Sequence, residues 1–185
     1  MTVNLLSNIL KFNKDFSLDM SRLLILFDSY SKKRNDDYIM GTTKVVKLDF
    51  FLRYPTILEK ALRTKKQTVK SIDVKEFERN LVESTMIRYK FGPWDDRYWS
   101  ILSTMESLGL IEIVKVNEVT SFKITETGKD IVSQLNNFEV FDDYFKRSGI
   151  VNSNFGGLTA KWLVKKVYEL RPELRTMRFG EEIRP

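Results

Sequence analysis

The stretch of sequence that decides the fold runs from residue 86 to residue 125 and reads MIRYKFGPWDDRYWSILSTMESLGLIEIVKVNEVTSFKIT. Its first six residues alternate between apolar and polar side chains, which is the two-residue period of a strand. The apolar face of that strand would carry Ile87, Tyr89 and Phe91. Gly92 and Pro93 then end the strand, because proline restricts its own φ and the conformation of the residue before it.

A helix and a two-stranded ribbon complete this stretch. Five apolar residues spaced by four, three, four and three positions share one helix face: Trp94, Tyr98, Ile101, Met105 and Leu108. Gly109 suits the end of that helix, because glycine adopts a positive φ at little cost. Residues 110–116 and 120–125 then read as two strands around a polar turn at Asn117 and Glu118. A helix, a glycine and a ribbon in this order predict a winged helix.

The patterns outside this stretch are mostly helical. We therefore expect a mainly α protein with a small antiparallel β ribbon, in which extra N- and C-terminal helices surround a winged helix-turn-helix core. The expected organisation is an N-terminal arm over 1–16, a winged-helix domain over 17–136, and C-terminal helices with a loosely held tail over 137–185. Helices are predicted over about 17–31, 42–53, 74–85, 138–147 and 158–170 and from 55 and 125 onward, with a loop over 148–157. Thr42 or Thr43 is expected to cap the helix that reaches residue 53, and Thr125 the helix that follows the ribbon.

The composition argues against an enzyme. The chain has no cysteine and no histidine, so thiol nucleophiles, disulfides, most zinc sites and the commonest general base are absent. The remaining polar residues form no recognisable catalytic arrangement. We therefore expect no catalytic, cofactor-binding or metal-binding residue and no small-molecule substrate.

Hydropathy favours a cytoplasmic chain. The longest apolar run, at residues 23–27, is far too short to span a bilayer. The first 16 residues mix asparagine and lysine with scattered apolar residues and lack a small-residue cleavage pattern, so a signal peptide is not expected.

Two basic segments are candidates for contact with a nucleic-acid backbone. The formal net charge is +6, and residues 60–75 hold six cations against one acid. A second group of lysines lies on one face of the last predicted helix. The candidates are Lys60, Arg63, Lys65, Lys66, Lys70, Lys161, Lys165 and Lys166. Such runs are also common on solvated surfaces, and the sequence leaves both interpretations open.

The outward face of the helix at 94–108 is poorly suited to reading DNA. Its outward residues would be Asp95, Asp96, Arg97, Ser100, Ser103, Thr104, Glu106 and Ser107. Three acids against one arginine do not suit a groove lined by phosphates. Trp99 lies off the apolar stripe, where it either covers a neighbouring helix or anchors a protein partner.

The cations around this helix have two interpretations. Arg88 and Lys90 point away from the apolar strand face, so they are either solvated or paired with a partner or with Asp49. The candidate contacts with a partner protein are Trp99, Arg88, Lys90 and Arg97.

Several phrases in the sequence resemble one family. They are TKVVKLDFFLRYP at 43–55, EKAL at 59–62, MIRYKFGPWDDRY at 86–98 and LGLI at 108–111. Together they resemble the middle component of bacterial ABC-three-component systems, the class that includes Lamassu-type anti-phage defence operons. The similar segments span residues 18–135, with a weaker match at 162–172. The phrases at 47–55 and 88–94 are the specific ones.

This resemblance implies a small non-catalytic adaptor with a winged-helix subunit fold. Its partners would be an ATPase similar to the structural-maintenance-of-chromosomes (SMC) class and an effector, often a nuclease, from the same operon. Contact with DNA would be independent of sequence. The residues also leave open a winged-helix transcriptional regulator, which would need basic or amide side chains on the outer face of the helix at 94–108.

Overall fold

Seven helices and two small antiparallel sheets build the part of the chain that the structure describes. The structure is a computed structural model, and it describes residues 2–33, 38–64, 72–80 and 85–185, with side chains from residue 16. The helices are α1 (Thr2–Ser31), α2 (Thr42–Arg53), α3 (Pro55–Thr64), α4 (Tyr98–Ser107), α5 (Glu126–Leu135), α6 (Asp142–Phe155) and α7 (Ala160–Leu170). The strands are β1 (Ile39–Met40), β2 (Met86–Tyr89), β3 (Gly92–Trp94), β4 (Ile111–Val116), β5 (Val119–Ile124) and β6 (Glu182–Ile183). The chain is mainly helical, as predicted.

The predicted ribbon is present as β4 and β5. Their turn consists of Asn117 and Glu118, which both have positive φ (50° and 63°), as the tight hairpin turns that match strand twist require. β1 adds a third strand in the order β1-β5-β4, with Ile39 opposite Phe122. The two-residue β1 is too short to show a period in the sequence.

Local stop and start signals around the ribbon are confirmed. Gly109 has a φ of +69° and follows α4. The Gly109 N–H donates to the backbone carbonyl of Glu106 at 2.8 Å, and the Leu110 N–H donates to that of Met105 at 2.9 Å. These two bonds are the paired arrangement of a glycine C-cap. Thr125 caps α5, because its hydroxyl accepts the N–H of Gly128 at 3.0 Å.

The second sheet has the order β3-β2-β6 and includes the C-terminal tail. Met86 pairs with Ile183, and the Tyr54 hydroxyl joins both strands by accepting from Met86 N and donating to Ile183 O, each at 2.8 Å. Ile183 in β6 is fully buried, and so is Leu174, which lies in a 3-10 turn at Pro172–Arg175. The prediction of a loosely held tail is therefore wrong. A single turn and a two-residue strand leave no periodic signal, although both are bound firmly.

Two predicted helix boundaries are wrong. α1 begins at Thr2 rather than near residue 17, because no glycine or proline interrupts residues 2–31. α4 begins at Tyr98, and Trp94 belongs to β3 instead. Asp95, expected to face outward, is buried, and Leu108, expected to face inward, is exposed. The division of the chain at 16 and 136 remains a prediction.

Three further local predictions fail. The loop predicted at 148–157 continues α6 to Phe155, because the polar side chains of Ser148, Ser153 and Asn154 bond carbonyls one turn earlier instead of breaking the helix. In place of the helix at 74–85 there is a 3-10 turn at Glu76–Arg79, and residues 81–84 lie outside the described ranges. Gly41, rather than a threonine, precedes α2.

α2 forms the centre of the core. All ten residues from Lys44 to Arg53 are buried, and α2 packs against α3, α6, α7, β1 and β3. The ring of Phe51 stacks on Phe155 with centroids 4.6 Å apart. The apolar stripe that the sequence predicted on one face of α2 is therefore only part of its buried surface, which also includes four ionisable residues. No helix in the described ranges is both long and apolar enough to cross a membrane.

Alanine substitution of Gly128 is expected to destabilise the protein by about 1–3 kcal/mol. A Cβ at Gly128 would lie 2.2 Å from the carbonyl oxygen of Leu110, so the start of α5 would have to move away from the ribbon. A Cβ at Gly149 in α6 would meet no side chain or neighbouring element of the described residues within 4 Å, and its alanine variant should gain up to about 1 kcal/mol in helix propensity. Urea unfolding of the two variants checks this, and equal midpoints would contradict the close approach.

Candidate functional site

A buried ion network joins α1 and α2 to the segment before α4. Its members are Asp19, Arg22, Asp49, Arg53, Asp95 and Arg97, three carboxylates and three guanidinium groups. Asp49 lies at the centre, fully buried, and accepts from Arg22 Nε at 2.7 Å, from Arg53 Nε at 2.9 Å and from the Tyr98 hydroxyl at 2.6 Å. Arg53 also donates to Asp95 at 2.7 Å. The network therefore fixes the start of α4 relative to α2.

The network is balanced in charge, and this balance shifts the pKa values of its carboxylates. Burial alone would raise the pKa of Asp49, but Arg22 and Arg53 outweigh burial and hold the pKa below its ordinary value. At Asp95 burial again acts to raise the pKa, but hydrogen bonds from Arg97 and the charge of Arg53 outweigh it and lower the pKa to about 2. Both groups are therefore ionised at neutral pH, and the network acts as a structural clamp.

An aromatic cleft lies next to this clamp. It has a volume of about 440 Å³ and is lined by Thr42, Thr43, Lys47, Tyr89, Phe91, Gly92, Pro93, Trp94, Asp96 and Trp99. Three of its rings are unusually exposed for their size: Tyr89 (48%), Phe91 (53%) and Trp99 (53%). Gly92 is the first residue of β3, and its φ of +94° allows the tight connection between β2 and β3. This connection places Tyr89 and Phe91 in the lining of the cleft. Clustered exposed aromatic rings are typical of surfaces that bind another molecule.

Lys47 is the buried charged group of this aromatic cleft. Its side chain is 2% exposed and donates from Nζ to the carbonyl of Pro93 at 2.7 Å. Burial lowers its pKa from 10.5 to about 7, and repulsion from Arg88 contributes to the shift.

Arg88 lies behind the cleft and is 8% exposed. Its Nε donates to the carbonyl of Leu174, and its guanidinium carbon lies 5.0 Å from the ring centroid of Phe179 and 5.5 Å from that of Tyr168. Neither Arg88 nor Lys47 forms an ion pair with a carboxylate of the described residues. Within the described residues, these two neighbouring buried basic groups therefore have no carboxylate partner.

Two of the four predicted partner contacts, Trp99 and Arg88, lie at or behind the aromatic cleft. Trp99 lines the aromatic cleft and is half exposed, which leaves it available to a partner. Arg88 is neither solvated nor paired with Asp49, because Met86 and Arg88 face inward on β2 while Tyr89 and Phe91 face outward, the reverse of the prediction. The tail covers the strand face on which Arg88 was expected to be solvated or to pair with a partner or with Asp49.

The other two predicted contacts differ in exposure. Lys90 is exposed, with its Nζ 5.7 Å from the Phe91 ring centroid. Arg97 is mostly buried and pairs with Asp19 and Asp95 at 2.8 Å each, so it belongs to the ion network.

Four of the predicted basic candidates, Lys60, Arg63, Lys165 and Lys166, have partners within the protein. Lys60 donates to the carbonyl of Leu170 at the end of α7 at 2.7 Å, and Arg63 pairs with Glu59 at 3.0 Å. Lys165 and Lys166 both lie within 4 Å of Glu169, while Lys161 is exposed. Lys65, Lys66 and Lys70 lie outside the described residues. Contact of these groups with nucleic acid remains a prediction.

Sequence reasoning missed Lys47, Tyr89 and Phe91 as members of one site. Lys47 had a detectable signal, because a lysine amid the apolar run of α2 must either disturb the core or serve a purpose there. Tyr89 and Phe91 were predicted to share one strand face, but alternation identifies the two faces of a strand without indicating which one is covered.

Two of the phrases that carry the resemblance, at 43–55 and 86–98, meet at this place. The phrases at 43–55 and 86–98 supply every lining residue of the aromatic cleft except Thr42 and Trp99. They also supply four of the six members of the ion network. Comparisons with protein-family models, curated proteins and solved structures found no match to this chain.

Proposed function

We propose that this chain is a non-catalytic adaptor subunit of a cytoplasmic anti-phage defence complex of the Lamassu type. In this complex it bridges an SMC-like ABC ATPase and an effector, often a nuclease. The observation that carries the proposal is the meeting of two phrases of the resemblance, at 43–55 and 86–98, in one exposed aromatic cleft. A surface of exposed rings held by a rigid ion network suits a protein contact, because ordered aromatic anchors lose little entropy on binding.

A winged-helix core for the adaptor is supported by topology. The strand order β1-β5-β4, with α4 directly before the ribbon, is the arrangement that such a core requires. The segment between α2 and α4, which includes β2 and β3, is then an insertion that carries the aromatic cleft. The winged helix is the platform and the insertion is the contact surface.

The exposed face of α4 favours a protein partner over a DNA groove. α4 contains no lysine or arginine. Its exposed side chains are Trp99, Ser100, Ser103, Glu106 and Ser107. Arg97, the one cation predicted on this face, is held by two aspartates. A groove-reading helix needs donors for base edges and cations for phosphates, so the transcriptional regulator is the weaker alternative.

Co-expression with the neighbouring genes tests the proposed function. A tagged form of this chain is expected to retain the adjacent ATPase, the adjacent effector or both through size-exclusion chromatography. A 20-base-pair duplex of arbitrary sequence should bind weakly at most, with an affinity that falls as salt rises and does not depend on sequence. Elution of the chain alone, together with selective binding of one duplex, would contradict the adaptor and favour the regulator.

A further inference from the structure

We propose that the aromatic cleft binds an acidic side chain of the partner protein, with its carboxylate at Lys47 and a bulky apolar neighbour between the exposed rings. This inference rests on the proposed function, because it describes the contact through which the adaptor holds a partner subunit. It adds the chemistry of the segment that is recognised.

The charge around Lys47 calls for an anion. Lys47 is almost fully buried and lines the aromatic cleft, and an ammonium group has three N–H donors. One donor bonds the Pro93 carbonyl, which leaves two for the oxygens of a carboxylate. Buried charges in proteins are normally paired, because an unpaired one is costly.

Arg88 strengthens this requirement. It is also buried, it repels Lys47, and its Nη1 has no hydrogen-bond partner in the part of the chain that the structure describes. A carboxylate at Lys47 would therefore pair with the ammonium group and reduce its repulsion with Arg88.

The walls of the cleft indicate what accompanies the carboxylate. Tyr89, Phe91 and Trp99 expose about half of their surface, and Trp94 is fixed by a 3.0 Å hydrogen bond from its Nε1 to Asp96. Rings arranged around a volume of about 440 Å³ accept an apolar or aromatic side chain. In a segment with an acidic residue beside a large apolar residue, the carboxylate would contact Lys47 and the apolar side chain would pack between the rings.

A protein segment fits better than a nucleic acid. A single strand presents a phosphate at every nucleotide and needs a groove lined by several cations. The lining of the aromatic cleft has one buried cation, Lys47, and one exposed acid, Asp96. Asp96 would repel a second phosphate, whereas a single carboxylate can reach Lys47 alone.

Binding should depend on pH in a direction that identifies Lys47. Only the ammonium form attracts a carboxylate, and the pKa of Lys47 in the free protein is about 7. The titratable and charged groups around it are Arg88 on β2, Tyr89 and Asp96 in the cleft lining, and Tyr168 on α7. Affinity should therefore fall about tenfold or more between pH 6.5 and pH 8.5, and this fall should be absent in Lys47→Met.

A small probe tests the carboxylate site on the protein alone. In 1H–15N spectra, 3-phenylpropanoate is expected to shift the indole N–H signals of Trp94 and Trp99 but not that of Trp162 on α7. The neutral 3-phenylpropanamide should bind at least tenfold more weakly, and Lys47→Met should remove this preference. Equal binding of acid and amide would overturn the proposal. Displacement of the acid by a thymidine oligomer at micromolar concentration would overturn it in favour of nucleic acid.

The co-expressed complex tests the protein partner. Trp99→Ala and Lys47→Met should each weaken the affinity for one subunit at least tenfold, while Trp162→Ala, a partly exposed tryptophan outside the cleft, should not. If the wild-type complex forms and neither cleft variant weakens it, the proposed contact is wrong and the adaptor stands. If no complex forms, the adaptor fails, and with it the partner segment proposed here, whatever the probe shows.

Discussion

Replacing Asp49 by asparagine is expected to lower the free energy of unfolding by about 3–5 kcal/mol. Asp49 is fully buried and accepts hydrogen bonds from two arginines and a tyrosine, so no water can replace it. The variant keeps the size of the side chain but leaves three buried guanidinium groups with two carboxylates. The amide group also turns N–H donors toward other donors, which adds an unsatisfied contact.

Urea unfolding of Asp49→Asn and Asp96→Asn at pH 7 measures this effect. Asp96 is an exposed aspartate in the same region, with a hydrogen bond from Trp94, so its variant should change stability by less than about 1 kcal/mol. A loss below about 1 kcal/mol for Asp49→Asn would show that the ion network contributes little to stability.

The same network sets the response to acid. The pKa values of Asp49 and Asp95 are held below the ordinary value of 3.8, and that of Asp95 is about 2. Their stabilising contribution is complete above about pH 4 and is lost as pH falls toward 2, because the unfolded chain binds protons first. Asp49→Asn should therefore show a shallower loss of stability over this interval than the wild-type protein.

Lys47→Met is expected to stabilise the protein at neutral pH and to change how its stability depends on pH. The pKa of Lys47 is about 7 in the folded protein and 10.5 when exposed. Between these values the unfolded chain holds one more proton than the folded protein, so wild-type stability rises with pH by up to about 1.4 kcal/mol per unit. Methionine carries no charge and removes this slope.

The pH dependence of the difference in stability between Lys47→Met and the wild-type protein reports on Lys47 alone. The difference in free energy of unfolding between Lys47→Met and wild type should be largest near pH 7 and should shrink by several kcal/mol toward pH 10. Urea unfolding at four pH values measures it, with Lys161→Met as the control, because Lys161 is exposed and its variant should run parallel to the wild type. A constant difference for Lys47→Met would contradict a buried, unpaired lysine.

Features fixed by neighbouring residues were predictable from the sequence. The turn at Asn117 and Glu118, the glycine after α4 and the threonine cap of α5 depend on residues within a few positions of each other. The start of α4 was misplaced because Trp94 matched the apolar stripe. Its placement in β3 depends on pairing with Ile87, which the period of a helix does not detect.

The candidate site depends on contacts that sequence patterns do not reveal. Asp49 lies 27 positions from Arg22 and 49 from Tyr98, so its charge was indistinguishable from that of a surface residue. The direction of Arg88 was fixed by Leu174, 86 positions away in a tail without a pattern. The phrases at 43–55 and 86–98 contain most of the cleft lining, but only the fold shows that these residues lie together.

The proposed role of this chain is to connect two other subunits, and reconstitution measures this bridging most directly. The neighbouring ATPase and effector are purified separately, and multi-angle light scattering records their mixture with and without this chain. The adaptor predicts one species containing all three subunits only when the chain is present, and separate ATPase and effector peaks when it is absent. The adaptor role would be contradicted if the ATPase and the effector associate equally well without the chain, or if neither of them binds it.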